Sequence, residues 1–301
     1  MNASAETRCG FIAIIGAPNA GKSTLLNRYV GSKIAIVTHK VQTTRTRIIG
    51  IAIQGDTQLV FVDTPGIFAP RRKLDRAMVS AAWRGAQDAD LVLLLVDTLD
   101  GITGDVRTIV SGLKKTGRKA FLALNKIDKV KRDTLLAMAR ELDSSGVFTE
   151  TFMISALDGN GTDDLLASLV KALPRGPWLY PEDQITDVPL KMLAAEITRE
   201  QIYLRLHQEL PYQIAVEAER WDERKDGSIR IEQVIFVERK SQKGIVIGKG
   251  GQALKKIGEM ARAEMEEVFG CKIHLFLFVK VAERWSEKPS HYSEIGLDYV
   301  E

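Results

Sequence analysis

The sequence predicts a mostly parallel β-sheet with helices on both faces, followed by a smaller α+β domain. Three observations carry that expectation. Strand-like and helix-like stretches alternate from Phe11 to Leu173. Pro174, Pro177 and Pro181 then fall close together, and because proline cannot continue a helix this stretch reads as a linker. Past it the order changes to helix, strand, strand, helix, strand. A chain of 301 residues is long enough for two domains with separate cores, expected here at 8–176 and, with the linker, at 177–301.

Each element follows from local pattern. Apolar runs predict strands at Phe11–Ile15, Arg47–Ile53, Gln58–Val62, Leu91–Val96, Lys119–Leu124 and Thr151–Ile154. Between most of them the apolar spacing is helical, over Lys22–Val30, Arg76–Gln87, Val106–Lys115, Thr134–Leu142 and Thr162–Leu173. Sheets of this kind bind ligands beyond the carboxyl ends of their strands, so chemistry is sought there. In the second domain a helix is expected at Leu190–Gln208, strands at Gln213–Ala218 and Ile229–Val237, a helix at Gln252–Phe269 and a strand at Lys272–Val281.

Composition excludes several classes. Hydrophobic residues make up 45% and charged residues 27%, which rules out disordered and fibrous chains. The apolar run Leu91–Val96 is far shorter than the ~20 residues a membrane-spanning helix needs. The N-terminal stretch has no secretory apolar core, and two cysteines, Cys9 and Cys271, suit a reducing cytosol, so a cytoplasmic location is expected. The net charge of +3 conceals an imbalance. Residues 1–175 carry 24 Lys/Arg against 17 Asp/Glu, and residues 176–301 carry 18 against 22. Yet Arg239–Gly258, in the acidic half, holds Arg239, Lys240, Lys243, Lys249, Lys255 and Lys256 and no carboxylate. That run is either a phosphate footprint or a solvated face.

Directly after the first strand stand Gly16, Ala17, Pro18, Asn19, Ala20, Gly21, Lys22 and Ser23, followed by Thr24. This GxxxxGK[ST] pattern curls the backbone so that its N–H groups wrap phosphate oxygens at a helix N-terminus. Lys22 is expected on the β- and γ-phosphates and the Ser23 hydroxyl on Mg²⁺. Asp63, Thr64, Pro65 and Gly66 end the third strand: Asp63 is expected to join the Mg²⁺ shell through water, and the Gly66 N–H to sense the γ-phosphate. Asn125, Lys126, Ile127 and Asp128 close the fifth strand. An ionised Asp128 accepts two hydrogen bonds from the guanine edge, whereas adenine offers no such donor pair and would leave a buried carboxylate unpaired. The Lys126 stem lies over the ring and Asn125 braces the loops. After the sixth strand, Ser155, Ala156 and Leu157 are expected to bring a backbone N–H to the guanine carbonyl. Four such elements in order predict a GTP-binding domain.

The arrangement resembles the translation-factor-related class of P-loop GTPases. The resemblance implies that residues 31–46 form a first switch, with Thr44 or its neighbour Thr43 ligating Mg²⁺ when the γ-phosphate is present. Catalysis is then expected of Lys22, Thr44, Gly66 and Asn19. Ile67 stands where small signalling GTPases carry the glutamine that orients the attacking water, and isoleucine has no group for that work. Arg71, Arg72 and Lys73 lie nearby without an assigned role. Slow intrinsic hydrolysis is expected, stimulated by a partner or by K⁺, because related GTPases with an asparagine at the position of Asn19 hold potassium beside the phosphates.

Within the basic run, Gly248-Lys249-Gly250-Gly251 precedes a helix. Such a turn lets an RNA backbone approach closely, with Lys249 and the helix N-terminus on the phosphates. Expected RNA contacts are Arg239, Lys243, Ile247, Gly248, Lys249, Gly250, Gly251 and Lys255. Ile245, Ile247, Leu254 and Ile257 are either a base-reading groove or ordinary core. The loop resembles the signature of a KH domain, and the strand order resembles type II.

The combination of GAPNAGKS, QTTR, DTPG, NKID and SAL with this loop resembles the Era family of bacterial GTPases. The likeness extends to Ile185-Thr186-Asp187, Glu209-Leu210-Pro211-Tyr212 and Val279-Lys280-Val281. It implies an Era-type GTPase domain at 8–176, a type II KH domain within 177–301, and a small-subunit assembly factor; nothing in the sequence requires more than a monomer. Its implied partners are GTP/GDP, the small ribosomal subunit and the 3′ end of 16S rRNA, with peripheral contact at the inner membrane. Val188 departs from the family pattern, which carries arginine there in several members. Rival readings are a tRNA-modifying GTPase, whose extra folate-binding domain and C-terminal reactive cysteine have no match here, and a signalling switch whose second domain binds protein or membrane.

Overall fold

A computed structural model describes residues 7–38, 40, 43–70, 72–206 and 214–282. They fall into two compact units. The first holds the residues up to Ile34 together with Thr44–Asp187, and the second holds Ala35–Thr43 together with the residues from Val188 on.

The first unit is built on β1 (Arg8–Gly16), α1 (Lys22–Val30), β2 (Ile48–Gln54), β3 (Thr57–Asp63), α2 (Lys73–Asp88), β4 (Leu91–Asp97), α3 (Gly104–Thr116), β5 (Ala120–Asn125), α4 (Arg132–Asp143), β6 (Phe148–Ile154) and α5 (Thr162–Ala172). Its six strands run in the order β2-β3-β1-β4-β5-β6. All neighbours are parallel except β2, which pairs antiparallel with β3 at one edge. The central strands are apolar throughout because both faces are covered by helices. Ile12, Ile14, Leu93, Leu95 and Leu122 have no exposed surface. Strand order reverses at β1, and the ligand loops leave from the carboxyl ends there.

The proline-bearing stretch is not a free linker. Gln58 Oε1 accepts from the N–H groups of Leu179 and Tyr180 at 2.9 and 3.0 Å. Ile51 N–H donates to the Ile185 carbonyl at 2.8 Å, and Thr186 Oγ1 donates to Ile49 O at 2.6 Å. Residues 177–187 therefore bond to the edge strand β2 and to the start of its neighbour β3, and the division falls after Asp187 instead of after 176. Val188 packs into the second unit's core, where an arginine would bring charge among apolar neighbours.

The second unit contains α6 (Leu190–Arg205), β7 (Ile214–Glu223), β8 (Ile229–Val237), α7 (Lys240–Ile247), α8 (Gln252–Phe269) and β9 (Ile273–Val281). Its sheet runs β7-β8-β9, antiparallel then parallel. Helix α7 is missing from the sequence reading because Gly244 and the β-branched Ile245, Val246 and Ile247 are poor helix formers. Gln208, the 209–212 motif and Gln213 lie outside the described residues. Among the described residues no helix is long and apolar enough to cross a membrane.

Candidate functional site

The phosphate-loop residues connect β1 to α1. Gly21 sits at the helix N-cap with φ 94°, and a Cβ there would come within 2.2 Å of Asn125 Nδ2. No other residue fits that close approach. Asn19 adopts φ 63°, a left-handed conformation that asparagine tolerates better than most side chains. Lys22 is buried, and its Nζ donates to the carbonyls of Gly16 at 3.3 Å and Ala17 at 3.0 Å. Burial lowers its pKa to about 8 against the opposing pull of Asp63.

Beside Lys22, three oxygens converge. Ser23 Oγ donates to Asp63 Oδ2 at 2.6 Å, and Thr44 Oγ1 lies 2.9 Å from Ser23 Oγ and 3.3 Å from Asp63 Oδ2. Asp63 is fully buried, and its second oxygen, Oδ1, has no hydrogen-bond partner. Burial pushes this carboxyl upward in pKa, opposed by Lys22 and by the hydrogen bonds of Ser23 and Thr44. One carboxylate with two hydroxyls is the hard oxygen set that suits Mg²⁺, which completes its shell with phosphates and water. Thr43 is turned elsewhere: its Oγ1 pairs with Thr38 Oγ1 and the Lys40 carbonyl, each at 2.6 Å.

Downstream of Asp63 the side chains serve the fold. Thr64 Oγ1 donates to Ile14 O at 2.8 Å, Pro65 is buried, and Ile67 lies in the core packed around β4. The Ile67 N–H donates to Gly16 O at 3.0 Å, which holds Gly66 against the phosphate loop. Arg72 N–H donates to Asp75 Oδ2 at 3.0 Å at the start of α2, and Arg71 is outside the described residues.

The base-side motifs are locked together by Asn125. Its Nδ2 donates to Ala20 O at 2.8 Å and its Oδ1 accepts from Ala156 N–H at 2.9 Å. The Ser155 N–H donates to Asn160 O at 2.9 Å. The Ser155 and Ala156 N–H groups thus each have a partner inside the protein in the absence of nucleotide, and Leu157 is exposed at the end of the loop. Asp128 stands at the surface, with Oδ1 accepting from Ser155 Oγ at 3.0 Å and Oδ2 paired with Lys129 Nζ at 3.0 Å. Lys129 and Ser155 hold its carboxyl below the usual range, so it is ionised before any base covers it.

Two contributors have no sequence motif. Asp97, at the carboxyl end of β4, pairs with Lys126 Nζ and aims the lysine stem. Arg28 donates through Nε to Ala156 O at 2.7 Å and through Nη2 to Leu157 O, fixing the last loop from α1. Asp97's place at a strand's carboxyl end was the available signal; Arg28 had none.

In the second unit, Gly248 takes φ 72°, ψ 176°, and Gly250 and Gly251 are left-handed at φ 59° and 79°. The 18-residue α8 begins at once with Gly251 as N-cap and no side-chain cap; the Gln252 N–H turns back to the Lys249 carbonyl, and the helix presents its positive N-terminal end at the turn. Arg239, Lys240, Lys249, Lys255 and Lys256 are exposed and Lys243 is half-buried. Ile257 is core. Ile247 and Leu254 are half-buried against that core, and Ile245 is 55% exposed.

Comparison with known proteins agrees with this geometry. A family described as a 50S ribosome-binding GTPase matches residues 11–126, and the KH domain family matches residues 209–286. The chain is 59% identical over 293 residues to GTPase Era of Rhizobium meliloti (strain 1021), covering 97% of this chain and 94% of that one. It is 57% identical over 310 residues to GTPase Era of Caulobacter vibrioides (strain NA1000 / CB15N), covering 98% of each. A crystal structure of Era in complex with MgGDPNP and nucleotides 1506–1542 of 16S ribosomal RNA matches with TM-score 0.91 at 37% identity, covering 96% of this chain and 99% of that one. An Aquifex aeolicus Era variant bound to GDP·AlF4⁻ matches with the same TM-score and identity. With full-length relatives at this identity, a guanine-type nucleotide loop set and a glycine turn ahead of α8, the chain is a GTPase and belongs to the Era family.

Proposed function

We propose that this GTPase acts in assembly of the small ribosomal subunit, binding the 3′ end of 16S rRNA through the Gly248–Gly251 turn. The observation that carries the reading is that turn: three glycines in positive-φ conformations, an α8 N-terminus with no side-chain cap, exposed Lys249 within the turn and exposed Lys255 in the first turn of α8, with exposed Arg239 at the far end of α7. Phosphates approach the turn, Lys243 flanks it, and the half-buried Ile247 and Leu254 supply an apolar floor for bases. About four phosphate contacts, at −0.7 each, would make log K fall steeply with log salt. Support for the small subunit comes from the relative crystallised with nucleotides 1506–1542 of 16S ribosomal RNA. The family description naming the 50S subunit covers only residues 11–126, which lack the glycine turn. The inner-membrane contact draws no support from any described residue and forms no part of this reading.

At the nucleotide, Lys22 and the phosphate-loop N–H groups hold the β- and γ-phosphates, and Ser23, Thr44 and Asp63 hold Mg²⁺, which supplies neutralising charge to the phosphates. The orphaned Asp63 Oδ1 favours this assignment. Thr44 is the switch ligand because its hydroxyl, and not that of Thr43, stands with Ser23 and Asp63. Ile67 points into the core, so no side chain at that position orients water, and intrinsic hydrolysis is slow. Asn19, in its left-handed conformation, would supply its amide oxygen to K⁺.

Crosslinking to cellular RNA with a non-hydrolysable GTP analogue tests the reading. The expected peak is at the 3′ end of the small-subunit rRNA; a dominant peak elsewhere would overturn the assignment.

A further inference from the structure

Helices of the second unit pack on one face of its sheet. Ile273, Leu275, Leu277 and Val279 of β9 turn to the cores that hold Ile257, Ala261 and Met265 of α8. Side chains alternate along a strand, so His274, Phe276, Phe278 and Lys280 stand on the opposite face. Phe276 is 43% exposed and Phe278 49%. A single exposed apolar side chain needs no explanation. These two, however, are the only aromatic rings among the exposed large apolar side chains of the described residues, and they are neighbours on one face of one strand. Across from them β8 places Glu232 beside Phe276 and the buried Val234 beside Phe278. The Arg230 guanidinium lies 4.8 Å from the Phe276 ring centre while its Nη2 donates to Glu232 Oε1 at 2.6 Å, and Lys280 Nζ donates to Glu219 Oε1 at 2.7 Å.

The charges beside the two rings are therefore matched within the face, and what it offers an incoming group is ring surface. A nucleobase suits it: its flat π-face stacks on a phenyl ring, and Phe276 already takes one planar group, the Arg230 guanidinium. Residues two apart on a strand stand about 6.8 Å from one another, so the rings are separate platforms for two bases. The strand itself carries His274 and Lys280 at either end of the ring pair and no carboxylate, which suits a phosphate backbone. The face also adjoins the support of the glycine turn, since Val246 of α7 and Val279 of β9 share one core. We propose that the outer face of β9 is a second RNA contact, at which unpaired bases flanking the segment held by Gly248–Gly251 stack on Phe276 and Phe278. This rests on the reading of that turn as an RNA site. Stacking supplies the added affinity, and it counts only once the turn tethers the strand and raises the local concentration of its bases.

The test uses the full chain and fluorescence anisotropy with three labelled single-stranded RNAs: a short one that fills only the turn, the same RNA with adenylate tracts at both ends, and the same RNA with abasic tracts of equal length. The adenylate tracts should tighten binding about tenfold, as stacking of even one base implies, and the abasic tracts should add less than about threefold. Phe276→Leu with Phe278→Leu should erase the adenylate gain while short-RNA affinity stays within about twofold, and Phe276→Tyr with Phe278→Tyr should keep the gain. Should the double leucine variant fail to fold, Phe278→Leu and Phe278→Tyr carry the test. No gain from the adenylate tracts (the result a face built for a protein partner would give), an equal gain from the abasic tracts, or a gain that survives loss of the rings would overturn the proposal. Failure of the turn reading shows differently, as short-RNA affinity unaltered in Gly250→Asp, and would overturn the proposal with it.

Discussion

Replacing Gly248 by alanine probes the RNA loop at its tightest point. At φ 72°, ψ 176° the backbone occupies a region essentially restricted to glycine. A Cβ there would stand 2.6 Å from the Ala253 Cβ and 3.0 Å from its nitrogen, inside the first turn of α8. The strained backbone costs about 1–3 kcal/mol, and overlap with a packed neighbour about 1–3 kcal/mol more. The loop escapes this cost by moving away from α8, which displaces Lys249 and the helix N-terminus from the positions proposed to meet RNA. At about 1.4 kcal/mol per tenfold, retaining even part of the strain in the bound state lowers RNA affinity at least about tenfold. Gly250 is the internal control, because a Cβ there meets nothing within 4 Å. Gly250→Ala should stay within about threefold of wild type, the left-handed strain being nearly equal in free and bound states, whereas Gly250→Asp should abolish binding by charge repulsion. Fluorescence anisotropy with a labelled RNA matching the 16S 3′ end, at one fixed salt concentration, reads all three, with GDP affinity confirming that the first unit is unaltered. Wild-type RNA affinity in Gly248→Ala or in Gly250→Asp would refute the assignment of this loop.

Further expectations concern the nucleotide. Asp128→Asn should cut GTP affinity at least about tenfold, since it removes a charged bidentate acceptor, and should favour xanthosine triphosphate, whose ring carbonyl accepts from the new amide; competition against labelled GDP reads the switch, and unaltered GTP preference would count against Asp128 reading the base. Lys22, lowered to about 8 by burial, is protonated in both native and unfolded chains below that pH; above it only the native chain loses the proton, so stability without nucleotide rises from about pH 8 to about 10.5. Phosphate raises the Lys22 pKa again, so binding at pH 9 should take up a proton, and calorimetry in two buffers of different ionisation enthalpy should give different apparent heats; equal heats would contradict it. Potassium should raise kcat over sodium in wild type, and Asn19→Gly, which suits φ 63° while removing the amide oxygen, should erase the difference; an undiminished potassium effect in that variant would exclude the amide as the cation's ligand.

Motifs were legible because phosphate and guanine recognition demand particular atoms at strand ends. Gly21 is irreplaceable for a reason visible only in the fold, the 2.2 Å approach of Asn125, yet its identity announces the constraint from sequence alone. Burial was harder to foresee. Ile257 and Ile245 are alike in sequence, and one is core while the other is 55% exposed, because α7 and α8 turn different faces to the sheet. The surroundings of Asp128 were equally illegible, since the Ser155 hydroxyl that holds its carboxylate comes from a distant segment.

The alternation of strands and helices, the nucleotide loops and the glycine turn in its basic run are local properties: short-range sterics, hydrogen-bonding capacity and hydrophobic period write them into consecutive residues. Which hydroxyl of the adjacent threonines 43 and 44 meets Asp63, which N–H groups of residues 155–157 are already engaged, and which charges of the helix Leu190–Arg205 are buried all depend on residues far apart in the chain. Arg199 and Glu200 look like two ordinary solvated charges in the stretch EITREQIY. Only packing, which removes water from both and leaves them main-chain partners at Thr43 and Val37, makes them distinguishable from the rest.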